Sequence, residues 1–517
     1  MSNTRRELRP LGAAGKTRLT PRVRLHHEAP DMTLAQVLAG VRVLIPLPPA
    51  LAATVVTGLD YDSRRIQPGF VFFAFPGAKA DGREFAASAL ERGAIAVVSE
   101  SPGWIQVEHG RVALAQAARN FYDSPDQRLN ITGITGTNGK TTTAFLIDEM
   151  LRAEGHTTAL VGTIEYRLGA KRLAAVNTTP ESLDLYRMLH ELENAGGTHV
   201  TMEVSSHALA IGRVHGMKFH TAVFSNLTRD HLDFHGTMEN YFAAKTLLFR
   251  PETGDPPAWA AINRDDAWGR KLEPAQSTRV LWYGFSEGST VRARDISMNF
   301  EGLRFTVEYQ GGSLPFQSPL TGRMNVYNIL AAVSAGFSYG LAPEALQRDV
   351  AAFAAVPGRF EKIREGQPFL VVVDYAHTDD ALRNVISAAR ELRPKRVLTL
   401  FGCGGDRDRT KRPLMGQAAG ELSNFVVLTS DNPRSEDPLD IINDALVGLR
   451  RTDTPHVVEP DREKAIRLAI HEAQPGDALI LAGKGHETYQ ILGAKTIHFD
   501  DREVARAVLR GMGWSSS

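Results

Sequence analysis

One cysteine in 517 residues, Cys403, has no partner for an intramolecular disulfide, which is the usage of a chain kept in a reducing compartment. An excess of charge of either sign is missing too. The 59 Lys+Arg balance 59 Asp+Glu, so no global field points to nucleic acid or to a membrane surface, and any anionic ligand must be captured locally. No apolar run approaches the roughly 18 residues of a membrane span. The nearest, Val41–Val56, is broken by three prolines. Internal repeats and low-complexity linkers are absent as well. What remains, 43% hydrophobic and 23% charged residues, is a globular composition, and the length predicts about three domains.

The first thirty residues carry seven Lys/Arg against two Glu with little periodicity. Residues 1–31 therefore read as a disordered basic tail, or as the product of an early start codon, ahead of an organelle transit peptide. Met32 opens an orderly amphipathic pattern at Leu34, Val37, Leu38 and Val41. Three blocks follow, at 32–110, 111–356 and 357–517. Each alternates short apolar strands (Val71–Phe75, Thr157–Gly162, His199–Val204, Val397–Phe401, Ala478–Ala482) with helical patterns. Such alternation predicts an α/β fold of three domains with mainly parallel sheets, and ligands at the carboxyl ends of the strands.

The residues from Leu129 to Thr143, LNITGITGTNGKTTT, read as a strand running into a glycine-rich turn and then a helix from Thr142 towards Arg152. Gly136 and Gly139 let backbone N–H groups crowd around an anionic oxygen. Lys140 supplies a point charge for outer phosphates and Thr141 a hydroxyl for Mg²⁺. The general pattern G-x-x-x-x-G-K-[ST] asks for glycine where this chain has Ile134. The turn indicates a nucleoside triphosphate without saying how it is used.

Other polar groups gather at predicted strand ends. Glu203 stands where a phosphate-loop domain needs a Mg²⁺-coordinating carboxylate. His231 and His235, four apart, have zinc spacing, but flanking Asp230 and Asp233 and the lack of cysteine favour an oxygen-rich Mg²⁺ site. Thr237 caps a helix on which Tyr241, Lys245 and Leu248 share a face. Beside Mg²⁺ an ammonium is repelled, so Lys245 must bind phosphate, pair with a carboxylate or be chemically neutralised. Asn325 and Asn328 recur on one helix face, as hydrogen-bonding groups for a base or phosphate or as capping residues. Arg359 is placed to reach phosphates across a domain cleft, and Asp374 to hold a ribose or a metal-bound water. The turn Gly402–Arg412 carries several cations suited to an anionic substrate. Asp431-Asn432-Pro433-Arg434 and Gly483-Lys484-Gly485-His486-Glu487 are further charged strand-end turns.

In this order the motifs resemble the Mur ligase family of peptidoglycan synthesis, from about Met32 to about Arg502. The family's phosphate loop, G-T-N-G-K-T, has the same departure at Ile134. The resemblance implies an N-terminal uridine-nucleotide domain, a central ATPase domain and a C-terminal Rossmann-like domain that takes an amino acid. It places ATP on Gly136, Thr137, Asn138, Gly139, Lys140, Thr141, Thr142, Asn328, Arg359 and Asp374. Tyr61 and Ser63, with the Gly77 to Gly82 loop, are implied to grip the uridine nucleotide. Asn177, Thr178, Thr179, Ser205 and Arg213 match residues that hold the muramoyl dipeptide. Ile211 stands where the family commonly has glutamine. Lys245 matches a lysine that the family carbamylates, which makes it a Mg²⁺ ligand with Thr141, Glu203 and His231. Lys140, Glu203, His231 and Lys245 are the implied catalytic set.

Asp431-Asn432-Pro433-Arg434 is similar to the signature of family members that select meso-diaminopimelate. Arg434, aided by Arg407, forms a fork for the second carboxylate that L-lysine lacks, and Gly483 and Glu487 receive the ammonium. The implied reaction is ATP-dependent, Mg²⁺-assisted addition of meso-diaminopimelate to UDP-N-acetylmuramoyl-L-alanyl-D-glutamate through an acyl phosphate. The expectation is a cytoplasmic, monomeric chain with no nucleic-acid or membrane partner. The alternatives are an L-lysine-adding relative, a folylpolyglutamate synthetase-like ligase, and a nucleotide-regulated binding module without ligase activity.

Overall fold

The computed structural model describes residues 32–77 and 80–515, and the tail expected at 1–31 lies outside them. The strands Gly58–Asp60, Phe70–Ala74, Ala96–Ser99 and Ile105–Gln106 pair in chain order as a parallel sheet. Alternation along these strands sends Val71, Phe73 and Val98 to one core, and Phe72, Ala74 and Val97 to another. Helix Gly110–Phe121 buries Ala113, Leu114, Ala117, Ala118 and Phe121, a stripe of three- and four-residue steps. The first core runs on without a break into Ile131, Val200 and Ala222 of the next sheet. The cleft between these two layers therefore has walls fixed by common packing.

The central sheet has eleven strands. At its heart Asn130–Thr135 lies between His199–Glu203 and Thr221–Phe224, all parallel, so the glycine turn, Glu203 and Asn226 emerge side by side. Ile134 pairs with Glu203 in register and is fully buried in the core on the other sheet face. The residue that departs from the general loop pattern is thus a strand residue, held by apolar packing. The helix after the turn spans Lys140–Ala153, starting two residues earlier than its sequence pattern suggests.

Both edges of this sheet differ from the expected strand–helix repeat. Glu165–Leu168 and Lys171–Ala174 form an antiparallel hairpin at one edge. Val291–Met298, Leu303–Tyr309 and Gly312–Ser318 form a meander at the other. The meander buries Ala293, Phe305, Val307 and Phe316 in the core that also takes helix Arg323–Ser338.

In the C-terminal sheet the order is Glu361–Ile363, Leu370–Asp374, Ala478–Ala482, Val397–Phe401, Phe425–Leu428, His456–Val458, parallel except for the first strand. The strand Ala478–Ala482 is apolar throughout because both faces are covered: Leu479 and Leu481 face one core, Ala478, Ile480 and Ala482 the other. Among the described residues, no helix is long and apolar enough to cross a membrane.

Candidate active site

The glycine turn is held from behind by the strand end at Ser225–Thr228. Asn226 O accepts from Thr137 N at 2.9 Å, Asn226 Oδ1 accepts from Asn138 N at 2.9 Å, and Ser225 Oγ donates to Asn138 O at 2.6 Å. Gly136 (φ 145°) admits no side chain, since a Cβ there would sit 1.9 Å from Ser225 Oγ. At Gly139 (φ 89°) a Cβ would lie 2.3 Å from Asn328 Oδ1. With the loop fixed this way, helix Lys140–Ala153 aims its first-turn amides and positive dipole end at the space beyond.

That space is a cavity of about 150 Å³ lined by the turn from Thr137 to Thr142 and by Thr163, Thr178, Glu203, Ser205, His231 and Arg359. Lys140 folds back, its Nζ donating to Gly136 O and Thr137 O at 2.9 Å each. Glu203 is buried, and its carboxylate is oriented by Thr163 N (2.9 Å) and Thr163 Oγ1 (3.1 Å). Arg359 arrives from the C-terminal block, 3.5 Å from Thr141 Oγ1, stacked on Tyr375, with its buried Nε unpartnered. A guanidinium that lines this cavity beside Thr141 suits a phosphate oxygen. Thr228 Oγ1 donates to Asp380 Oδ2 at 2.9 Å, a second contact from the C-terminal block onto the loop.

Lys245 is fully buried. Its Nζ donates to Gly136 O at 2.9 Å and lies over the Tyr241 ring. Burial, and then the charge of Lys140, hold its pKa well below the ordinary lysine value. Burial also lowers the His231 pKa, against the raising effect of Asp230, which keeps the imidazole neutral near neutral pH. Among the described residues, no group of three or more His, Cys, Asp and Glu forms a ready-made metal cage. The Glu203 carboxylate and Thr141 hydroxyl beside a phosphate cavity do fit Mg²⁺, which binds through one or two carboxylates and completes its shell with phosphate oxygens and water.

A larger cavity, about 1250 Å³, runs between the N-terminal and central sheets. It brings together Tyr61, Ser63, Asn177, Thr178, Thr179, Ser205 and Arg213, which come from four separate segments of the chain. Tyr61 crosses between the two layers, its hydroxyl donating to Asp184 Oδ2 at 2.6 Å. Arg213 donates to Thr179 O at 2.8 Å and to Glu181 Oε1 at 3.0 Å. Ser205 caps helix Ser206–Ala210 through Ala208 N. Ile211 contributes an apolar wall where an amide would offer hydrogen bonds.

The third cavity, about 380 Å³, sits at the strand ends of the C-terminal sheet. Arg407, Asp431, Asn432, Arg434, Gly483 and Glu487 line it with Tyr375, His377 and Lys411. Pro433 stands behind the wall, its carbonyl 1.9 Å from where a Cβ on Gly405 would be. Arg434 takes a left-handed backbone (φ 53°) that turns its guanidinium onto Gly405 O at 2.7 Å.

Three predicted nucleotide residues, Gly136, Asn328 and Asp374, lie outside the phosphate-cavity lining. Asp374 accepts from Phe360 N (2.7 Å) and Ala376 N (2.8 Å), and so pins the left-handed Phe360 next to Arg359. Asn328 donates to Asn325 Oδ1 at 2.9 Å, and Asn325 donates to Thr321 O at 2.7 Å. Sequence reasoning passed over Thr163, Arg111 and Lys484 as site residues. Arg111 lies over the Phe75 ring in the large cleft. The signal for Lys484 was its place between two glycines at a strand end.

Three family models match this chain: the Mur ligase family catalytic domain over residues 55–122, the Mur ligase middle domain over 134–336, and the Mur ligase glutamate ligase domain over 358–485. The UDP-N-acetylmuramoyl-L-alanyl-D-glutamate–2,6-diaminopimelate ligase of Solibacter usitatus (strain Ellin6076) is 66% identical over 490 residues, covering 93% of this chain and 99% of the relative. The ligase of the same description from Geobacillus thermodenitrificans (strain NG80-2) is 46% identical, over 88% of this chain and 95% of its own. A solved structure of a ligase of that description superposes with a TM-score of 0.69 at 34% identity, covering 94% of this chain and all of the other. With its loop, its three cavities and these matches together, the chain belongs to the Mur ligase family.

Proposed function

We propose that this chain is the ATP-dependent ligase that joins meso-diaminopimelate to UDP-N-acetylmuramoyl-L-alanyl-D-glutamate in peptidoglycan synthesis. The observation that carries the reading is the overlap of two cavities: Thr178, Ser205 and His231 line both the large cleft and the phosphate cavity. A peptide carboxylate at the end of a nucleotide-linked substrate in the cleft is thereby delivered to the outer phosphate of ATP. The carboxylate oxygen attacks the γ-phosphorus, and ADP leaves. The diaminopimelate amine then adds to the acyl carbon and displaces phosphate, leaving the amide.

In this reading the residues position and neutralise, and little covalent chemistry falls to the protein. Lys140 and Arg359 balance phosphate charge from the loop and from the C-terminal block. Thr163 holds the Glu203 carboxylate still. Mg²⁺, when bound through Thr141, Glu203, His231 and a carbamylated Lys245, supplies further charge neutralisation at the phosphates. Arg407 and Arg434 take the distal carboxylate of diaminopimelate, and Gly483 and Glu487, with Asp431 beside them in the lining, its ammonium. L-lysine would leave the two guanidinium groups unpaired, a penalty on the wrong acceptor. The chain works in this reading as a cytoplasmic monomer.

Phosphate release with the UDP-linked dipeptide, ATP and either diaminopimelate or L-lysine tests it. Release with diaminopimelate alone is expected. Equal turnover with both amino acids would overturn the choice of acceptor, and release with neither would overturn the ligase reading.

A further inference from the structure

The acceptor pocket has a floor whose charge is set from below. Lys484 is completely buried, between Gly483 and Gly485 at the end of strand Ala478–Ala482. Its Nζ lies 3.4 Å from Asp431 Oδ1, 3.3 Å from Glu487 Oε2 and 3.3 Å from Asn432 Oδ1. Asn432 in turn donates to Glu487 Oε2 at 2.9 Å. One oxygen of Glu487 is thus engaged twice, while Oε1 meets the Tyr489 hydroxyl at 3.4 Å. Asp431 and Glu487 both line the pocket, and Lys484 does not. A buried ammonium enclosed by two carboxylates and an amide cannot be reached by substrate, so it acts through the groups it holds.

We propose that Lys484 is a positioning residue that fixes Asp431 and Glu487 and leaves this wall of the pocket with one net negative charge, matched to the single distal ammonium of the acceptor amino acid. The proposal rests on reading the pocket as the acceptor site. Two carboxylates so close in a dry floor repel each other, and one ammonium beneath them removes half of that charge. The rest of the lining, with Arg407, Lys411 and Arg434, is cationic. The pocket is therefore dipolar in the sense that a zwitterionic end group requires. Lys484 decides the ammonium half of that match and leaves the carboxylate half to the two arginines.

The consequence is a split in specificity that loose packing alone would not produce. Lys484→Met is compared with the unaltered chain on three acceptors: meso-diaminopimelate, 2-aminopimelate (the distal carboxylate without the ammonium) and L-lysine (the ammonium without the distal carboxylate). In kcat/KM, the preference for meso-diaminopimelate over 2-aminopimelate is expected to fall by about tenfold or more, the scale of a broken buried charge pair. The preference over L-lysine and the KM for ATP should change by less than about threefold, since neither involves the ammonium wall differentially. Asp431→Asn added to Lys484→Met removes the surplus negative charge and is expected to restore much of the lost preference.

Equal loss of both preferences, or no loss of either, overturns the proposal, as does a double variant no better than the single one. If Lys484→Met fails to fold, the double variant decides on the same criteria. If neither folds, Lys484 is a core residue and the proposal fails. An unaltered chain that is inert with meso-diaminopimelate overturns the reading of the pocket. An active chain with unmoved variants overturns this proposal alone.

Discussion

Lys140 and Lys245 donate to the same acceptor, the carbonyl oxygen of Gly136, each at 2.9 Å. Two ammonium groups on one carbonyl, out of water, disfavour each other. Burial lowers the pKa of both; Lys140 has Glu203 and Asp230 to set against its burial and Arg359, whereas Lys245 has only Asp230, faces Lys140 and is held further down. The proton is therefore lost from Lys245 first. A neutral buried amine is the form that adds carbon dioxide, and in the proposed reading a carbamate on Lys245 would turn repulsion of Lys140 into attraction.

Lys245→Ala is accordingly expected to lower kcat at least about a hundredfold, the scale of a lost transition-state contact. Bicarbonate or a short-chain carboxylate should restore part of it by filling the vacated space with an anion. Phosphate-release kinetics with and without acetate check this. Full activity of the alanine variant without rescue would remove the carbamate from the reading.

Gly162 offers a test that changes no functional group. A Cβ there would lie 2.5 Å from Glu203 Oε1, and Thr163 already holds both carboxylate oxygens. Gly162→Ala should displace the carboxylate, raising the Mg²⁺ concentration needed for half-maximal rate by about tenfold or more, as for disturbed ligand orientation. Melting temperature should move little. A Mg²⁺ titration identical to that of the unaltered chain would show that Glu203 does not need this position.

The strand ends were legible in the sequence because parallel strands covered on both faces are short apolar runs, and whatever polar residue follows them lies at the ligand edge. This placed Glu203 and Asp431 before any contact was known. Which way a polar side chain turns was not legible. Asn328 and Asp374 have the chemistry to bind a nucleotide, but their hydrogen bonds go to Asn325 and to the backbone of Phe360 and Ala376. The meander at residues 291–318 was missed although Leu303–Tyr309 alternates apolar and polar residues, because its strands lie far from any motif. Lys484 read only as part of a charged strand-end turn, and tertiary packing buries it.

Arg434 is the proposed selector of the acceptor's second carboxylate. Its guanidinium is aimed by a left-handed backbone and by Gly405 O. Arg434→Ala should raise the diaminopimelate KM about tenfold to a hundredfold, as expected for a charge-assisted hydrogen bond. The ATP KM should stay within about threefold. Equal rises in both constants would place Arg434 in domain closure and not in selection.

The last prediction concerns stability, at the amino ends of the central strands, opposite the site. His199 is buried at the amino end of its strand, 4.1 Å from the His156 ring and 5.0 Å from Tyr339, whose other neighbour is His220. Burial, followed by repulsion from His156 and His220, lowers its pKa to about 4. In the unfolded chain the imidazole titrates near 6.5, so between those values the unfolded state binds more protons. The stability that depends on a neutral His199 is therefore complete above about pH 6.5 and is lost as pH falls towards 4. Between pH 7.5 and 5 the loss should be about 1–2 kcal/mol after allowing for solvent near the ring. His199→Gln keeps a hydrogen-bonding group beside Thr198 but cannot take the proton, so its stability should fall less over the same interval. Thermal or urea midpoints of both chains at the two pH values measure the difference, and parallel losses would show that the imidazole cluster does not govern the acid limb.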